Sequence, residues 1–102
     1  MSTLGWQIRR RLEPVYGDRL KGIVLYGSEA RGDAEADSDI DVLVILNRVT
    51  DYGRELRANI EALYDLSQKL GRRISAKPVD AHEYETADCP LFLNARREGV
   101  AA

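Results

Sequence analysis

Gly27-Ser28-Glu29-Ala30-Arg31-Gly32-Asp33-Ala34-Glu35-Ala36-Asp37-Ser38-Asp39-Ile40-Asp41 is the stretch of sequence that decides the fold. It ends on two aspartates, Asp39 and Asp41, which open an apolar run from Val42 to Leu46. Side chains two apart in a strand project to the same face, so the two carboxylates share one side and repel each other. Mg²⁺, commonly bound through one or two carboxylates together with nucleotide phosphates, removes that repulsion. The pair therefore predicts half of a metal–nucleotide site.

The other half lies just upstream, where a buried-strand pattern from Gly22 to Tyr26 runs into Gly27-Ser28 and a helix start. Glycine lets the backbone approach a ligand closely, and free N–H groups at a helix start favour a phosphate. Most Gly-Ser pairs after a strand are ordinary turns with a capping serine. The paired aspartates that follow make the combined pattern specific for a phosphate-binding turn.

At these residues the chain resembles a known family. The run from Gly27 to Ala34, followed by Ser38 to Asp41, is similar to the signature of the DNA polymerase β-type nucleotidyltransferase superfamily, above all its single-domain minimal nucleotidyltransferases. The resemblance implies an α/β (α+β) fold, a small mixed sheet with helices packed on one face. It implies transfer of a nucleoside monophosphate from a nucleoside triphosphate to a hydroxyl, with Mg²⁺ as cofactor and AMP as the favoured group.

The resemblance also assigns roles to individual residues. Asp39 and Asp41 become the catalytic, metal-binding carboxylates. The nucleotide-binding residues that it implies are Gly27, Ser28, Arg31 and Ser38. For Arg31 two roles stay open, contact with the triphosphate or ion pairing that pins the acidic loop 33–37, and we favour the second.

The family pattern asks for a third carboxylate on the neighbouring strand, and here the sequence departs from it. The segment from Arg73 to Val79 contains that strand, and its candidate inward positions are Ser75 and Lys77. Losing a general base typically costs on the order of 10²–10⁴ in rate. Asp80 or Glu83 folding back would replace the acid, but a loop that caps a helical turn is the favoured interpretation for them.

Lys77 offers another replacement, since an inward ammonium neutralises phosphate. We favour instead an exposed lysine that protects an edge strand. A partner protein supplying the missing group is the remaining alternative.

Minimal nucleotidyltransferases of this kind often act as antitoxins beside a HEPN-domain ribonuclease, which some of them modify with AMP. The leading hypothesis is therefore an antitoxin that binds a nucleoside triphosphate and Mg²⁺ and nucleotidylates its toxin. The alternative is a catalytically weak or dead homologue that binds and masks the toxin. An aminoglycoside-modifying enzyme is disfavoured because no substrate domain is evident, although a homo-oligomer would supply one.

Composition sets the remaining expectations. The 102 residues, 44% of them hydrophobic, suit one domain over 1–102. A net charge of −2 argues against strong nucleic-acid binding. One cysteine, no membrane-spanning apolar stretch and no signal-peptide pattern predict a cytoplasmic protein.

Hydrophobic periodicity predicts helices alternating with strands. The predicted helices are one from Thr3 to Tyr16 that Pro14 ends or kinks, a short one after Ser28, a long one from the Asp51 cap to Gly71, and one from Pro90 to Gly99. The predicted strands are Gly22 to Tyr26, Asp39 to Leu46 and Ile74 to Val79. The buried face of the first helix is predicted as Leu4, Ile8, Leu12 and Val15. The long helix is predicted to carry a mostly apolar stripe of Leu56, Ile60, Leu63, Ser67 and Leu70.

Overall fold

The computed structural model describes residues 3–102. The helices are α1 (Thr3–Tyr16), α2 (Ser28–Arg31), α3 (Tyr52–Leu70), α4 (Ala81–Thr86) and α5 (Pro90–Glu98), with a 3-10 turn at Gly17–Arg19. The strands are β1 (Leu20–Tyr26), β2 (Ile40–Leu46), β3 (Ile74–Asp80) and β4 (Val100–Ala101). The three predicted strands lie within two residues of their expected bounds, whereas β4 was not predicted.

The four strands form one mixed sheet in the order β3-β2-β1-β4. β1 pairs antiparallel with β2, placing Tyr26 opposite Asp41. β2 pairs parallel with β3, placing Asp41 opposite Ser75. The short β4 pairs antiparallel with the other side of β1. The end of β1 and the start of β2 therefore meet at one end of the two central strands, where the signature residues lie.

Helices cover both faces of this sheet rather than one. Ile40, Val42 and Val44 of β2 pack into a cluster with the buried side chains of α1 and α3. Leu43 and Ile45 face the other way and pack with α4 and α5. The prediction of helices on one face holds for the two long helices. The apolar run 42–46 of β2 buries side chains on both faces of the strand, which explains why the second layer exists.

Local signals account for the helix ends. The side chain of Asp51 accepts a hydrogen bond from the N–H of Arg54 at 3.1 Å, which caps α3. Gly71 ends α3 in the left-handed region at φ 63°. Pro90 occupies the first turn of α5, and Cys89 is its N-cap.

The apolar stripe predicted for α3 does not coincide with its buried face, because two apolar positions are exposed and two polar residues are buried. Ile60 is 56% exposed and Leu70 is 37% exposed. Glu55 and Asn59 are buried instead, alongside Leu63 and Leu66. Glu55 pairs with Arg19, and Asn59 accepts a hydrogen bond from the hydroxyl of Tyr16. These partners lie far away in sequence, so helical periodicity does not reveal them.

The predicted buried face of α1 was wrong at its last position. Val15 is 47% exposed, whereas Tyr16 is buried. Tyr16 continues the four-residue spacing of Ile8 and Leu12, and the helix runs two residues past Pro14.

The outer edge of β3 carries its own protection. Ile40 N–H donates to the Arg73 carbonyl at 2.8 Å, so odd-numbered residues of β3 bond to β2 and even-numbered ones face outward. One outward position is Pro78, which has no N–H. Another is Ala76, whose carbonyl accepts from the Asn59 amide at 3.0 Å.

Within residues 3–102, none of the helices combines the length and the apolar character needed to cross a membrane.

Candidate functional site

The aspartate pair lies at the start of β2, on the face away from α1 and α3. Asp39 directly precedes the strand and is exposed, and Asp41 is its second residue and half-buried. Leu43, two residues further on, packs in the cluster with α4 and α5. Because side chains two apart share a face, Asp41 lies on the side of the sheet that these short helices cover only in part.

The Asp41 carboxyl is electrostatically perturbed. Burial raises its pKa above the ordinary value, and Asp39 raises it further through like-charge repulsion. Lys77 and Arg31 act in the opposite direction and lower the pKa of Asp41. A cation between the two aspartates would relieve both unfavourable effects.

Gly27 brings the backbone against Asp41. Its φ is 70° and its ψ is −142°, a conformation that residues with a Cβ rarely adopt. A Cβ built at this position would lie 2.8 Å from Oδ2 of Asp41. The glycine is therefore required both by its backbone conformation and by the space that the carboxylate occupies.

Ser28 and Arg31 lie on the single turn of α2 that follows. The Arg31 N–H donates to the Gly27 carbonyl at 3.1 Å. The exposed Arg31 guanidinium lies 3.4 Å from the Asp33 carboxylate, a contact that links α2 to the acidic loop. The Ser38 hydroxyl contacts Glu35, donating to its carbonyl at 2.9 Å and accepting from its N–H at 3.1 Å. The signature residues thus converge at this end of the two central strands, with Ser38 engaged in shaping the loop.

Among the residues that the structure describes, no third carboxylate joins the pair. Ser75 is opposite Asp41 in the ladder and Lys77 is opposite Leu43, so both share the face of Asp41. Across residues 3–102, no group of three or more His, Cys, Asp or Glu side chains is arranged to hold a metal ion. Asp80 lies at the opposite end of β3, where it caps α4 by accepting from the N–H groups of His82 and Glu83.

Lys77 differs from the exposed edge residue that the sequence suggested. It is half-buried, and its charge lowers the pKa of Asp41. The positive side chain therefore acts on Asp41 from the strand where the family pattern has an acid.

Two residues at the site were missed by sequence reasoning. The buried Tyr26 hydroxyl has no hydrogen-bond partner among the described residues. Burial, Asp41 and Tyr52 raise the pKa of Tyr26 to about 12. The Arg72 side chain is largely buried and contacts Glu29 and Ser38. A tyrosine before Gly-Ser was a visible signal; the partners of Arg72 were not.

The family model for the nucleotidyltransferase domain matches residues 6–99. The chain belongs to this family. Among curated relatives of this nucleotidyltransferase domain, spectinomycin 9-adenylyltransferase of Staphylococcus aureus is 28% identical over 74 residues, 72% of the chain and 28% of that enzyme. A Methanocaldococcus jannaschii protein with the provisional name protein adenylyltransferase is 46% identical over 41 residues, 40% of the chain and 41% of the relative. The chain thus spans less than half the length of either relative.

Solved structures share the fold of this nucleotidyltransferase domain. A toxin–antitoxin crystallised with AMP-PNP matches with a TM-score of 0.61 and 23% identity, over 93% of this chain and 69% of that one. A mutant of the toxin–antitoxin MntA-HpeT matches with a TM-score of 0.63 and 21% identity, over 95% and 70%. The predicted family and the predicted mixed α/β architecture are both confirmed.

Proposed function

We propose that this nucleotidyltransferase domain binds a nucleoside triphosphate with Mg²⁺ and transfers the nucleoside monophosphate to a hydroxyl of a HEPN-type toxin. The favoured nucleotide is ATP, so the transferred group is AMP. The domain thereby acts as a cytoplasmic antitoxin. The observation that carries the proposal is the Asp39–Asp41 pair beside Gly27. Because Gly27 has no side chain, the Asp41 carboxylate lies close to the backbone of the turn. An adenylyltransferase name among the relatives, and AMP-PNP in a neighbouring structure, support adenine as the base.

The donor set fits one divalent cation. Two carboxylates share a strand face, and Asp41 has a pKa raised by burial and by Asp39. Mg²⁺ takes carboxylate and phosphate oxygens as ligands, so Asp39 and Asp41 would hold it against the triphosphate. When bound, it supplies charge neutralisation for the phosphate oxygens.

The chain's own groups would bind and orient the reactants. Gly27 and Ser28 would hold the β- and γ-phosphates at the turn, while Arg31 keeps the acidic loop in place through Asp33. The acceptor hydroxyl oxygen forms a bond to the α-phosphorus as the bond from that phosphorus to the β-phosphate oxygen breaks. Pyrophosphate leaves with the bonding electrons, and the hydroxyl proton passes to solvent because no third carboxylate among residues 3–102 is positioned to accept it.

A second function is favoured by one observation. Ser75 and Lys77 occupy the strand face where a third acid would lie, and losing a general base costs on the order of 10²–10⁴ in rate. A domain with this defect would still bind the toxin and mask it. In this alternative the nucleotide is at most a structural ligand.

The test is intact-mass analysis of the purified protein incubated with ATP and Mg²⁺, with and without the product of its neighbouring gene. We expect the partner to gain one or more AMP units, and Asp39→Ala and Asp41→Ala to abolish the gain. Asp37→Ala is the matched control, because Asp37 is an exposed aspartate in the same loop. A stable complex without any mass gain would favour the masking function; neither complex nor mass gain would refute the antitoxin proposal.

A further inference from the structure

Arg72 connects the two halves of the candidate site. It lies between α3 and β3, and its Nε donates to the Ser38 carbonyl at 2.8 Å. Its Nη2 contacts the Ser38 hydroxyl at 3.2 Å and also pairs with the Glu29 carboxylate. Glu29 follows Ser28 of the phosphate turn, and Ser38 precedes Asp39. One guanidinium therefore holds the residues next to both functional groups.

The ion pair between Arg72 and Glu29 is shielded from solvent, unlike the nearby pair between Arg31 and Asp33. The side chains of Arg72 and Glu29 are 15% and 17% exposed, whereas those of Arg31 and Asp33 are 54% and 62% exposed. Exposed pairs contribute little because solvent screens them. A charge-assisted contact with reduced solvent access is stronger. The shielded contacts of Arg72 can therefore fix the Gly27–Ser28 turn relative to the strand that carries the aspartates.

The backbone of Arg72 is held in place by two hydrogen bonds to Ser67. The Ser67 hydroxyl donates to the Arg72 carbonyl at 2.7 Å, and the Arg72 N–H donates to the Ser67 carbonyl at 3.3 Å. Gly71 turns the chain at the end of α3 in the left-handed region. The guanidinium therefore projects from a backbone that is fixed to the long helix.

We propose that Arg72 is a positioning residue of the nucleotide site, which sets the separation between the Gly27–Ser28 turn and the Asp39–Asp41 carboxylates through Glu29 and Ser38. The inference rests on the proposed function for its effect on nucleotide binding. The planar fork of arginine donates in two directions at fixed angles, which an ammonium group does not. Misplacing binding groups by about 1 Å can cost on the order of 10²-fold in rate, so loss of this contact acts at a distance from the chemistry.

The experiment compares Arg72→Ala and Arg72→Lys with Arg73→Ala, a matched control because Arg73 is the exposed neighbouring arginine. Two quantities are measured on protein shown by circular dichroism to be folded: the affinity for ATP with Mg²⁺, and amide hydrogen exchange of nucleotide-free protein. We expect Arg72→Ala to weaken affinity by about tenfold or more and to speed exchange in both 27–33 and 38–41. Arg72→Lys keeps the charge and should recover only part of each effect. Arg73→Ala should match the wild type.

Several results would overturn the inference. Unchanged affinity and unchanged exchange in folded Arg72→Ala would do so, even if its melting temperature falls, because that is the result of a purely structural role. Faster exchange in 38–41 alone would refute the coupling of the two halves. If the wild type itself does not bind ATP with Mg²⁺, the proposed function fails while hydrogen exchange still decides the role of Arg72.

Discussion

At the scale of single residues, the proposed chemistry depends on what lies beside Asp41 on the neighbouring strand. Ser75 lies directly opposite Asp41 in the parallel ladder, and Lys77 acts on the same carboxylate. A serine hydroxyl is not a proton acceptor near neutral pH, and an ammonium group repels a second cation. The proposed site therefore keeps two carboxylates that would hold one metal ion and lacks the group that the family pattern expects to accept the proton.

Placing an acid at this position should raise activity. We expect Ser75→Asp to increase the rate of AMP transfer by at least about tenfold, because a positioned general base contributes on the order of 10²–10⁴. The rate is measured as pyrophosphate released from ATP in the presence of the partner. Thr50→Asp, which adds an acid in an exposed loop at the other end of β2, serves as the control. No gain from Ser75→Asp, with nucleotide affinity retained, would argue against the register-based assignment.

At the scale of elements, short polar contacts decide where helices begin. Asp80 ends β3 and caps α4, and its carboxylate also accepts from the Val49 N–H at 3.1 Å. These backbone hydrogen bonds lower the pKa of Asp80 below its ordinary value, and the bond from Val49 has the largest effect. The same residue fastens the loop after β2 to the start of α4.

Removing this cap should lower stability in a pH-dependent way. We expect Asp80→Ala to reduce the free energy of unfolding by about 1 kcal/mol near neutral pH, the usual value of an N-cap. A lowered pKa in the folded state means that the charged form stabilises above the unfolded pKa of about 3.9 and that this contribution disappears as pH falls through the folded value. Urea unfolding at several pH values should show the difference from wild type shrinking in acid.

Two comparisons sharpen this prediction. Asp88→Ala, at an exposed aspartate before α5, should leave stability near the wild-type value. Because Asp80 lies at the far end of β3 from Ser75, Asp80→Ala should also leave ATP affinity unchanged. A loss of affinity would mean that Asp80 belongs to the site after all.

The sequence predicted those features whose cause is local. Gly27 before Ser28, the Asp51 cap and the Gly71 stop are each determined by neighbouring residues, so their positions were visible. Arg72 was not, because its partners Glu29 and Ser38 lie 43 and 34 residues away. The same reason explains the missed strand β4, whose two residues become a strand only through pairing with β1.

At the scale of the whole molecule, one buried amide ties three elements together. Asn59 of α3 is fully buried, accepts from the Tyr16 hydroxyl of α1 and donates to the Ala76 carbonyl of β3. A buried polar group that loses its partner costs about 1–3 kcal/mol. Asn59 therefore specifies how the two long helices and the sheet fit together.

Truncating this side chain should destabilise the whole fold. We expect Asn59→Ala to lower the free energy of unfolding by about 3 kcal/mol, since it orphans the Ala76 carbonyl and leaves a cavity. Ile60→Ala is the matched control, because Ile60 is the next residue of the same helix and is 56% exposed; it should change stability by less than about 0.5 kcal/mol. Equal effects of the two substitutions in chemical denaturation would contradict the role given to Asn59.

The outward edge of β3 has a further consequence for growth of the sheet. A bare strand edge is a template on which another chain can add, and repeated addition leads to cross-β fibres. Pro78 offers no outward N–H, and the outward carbonyl of Ala76 is already occupied by Asn59. Two of the positions that an incoming strand would need are thus removed, which disfavours growth of the sheet at this edge and the fibrils that such growth would produce.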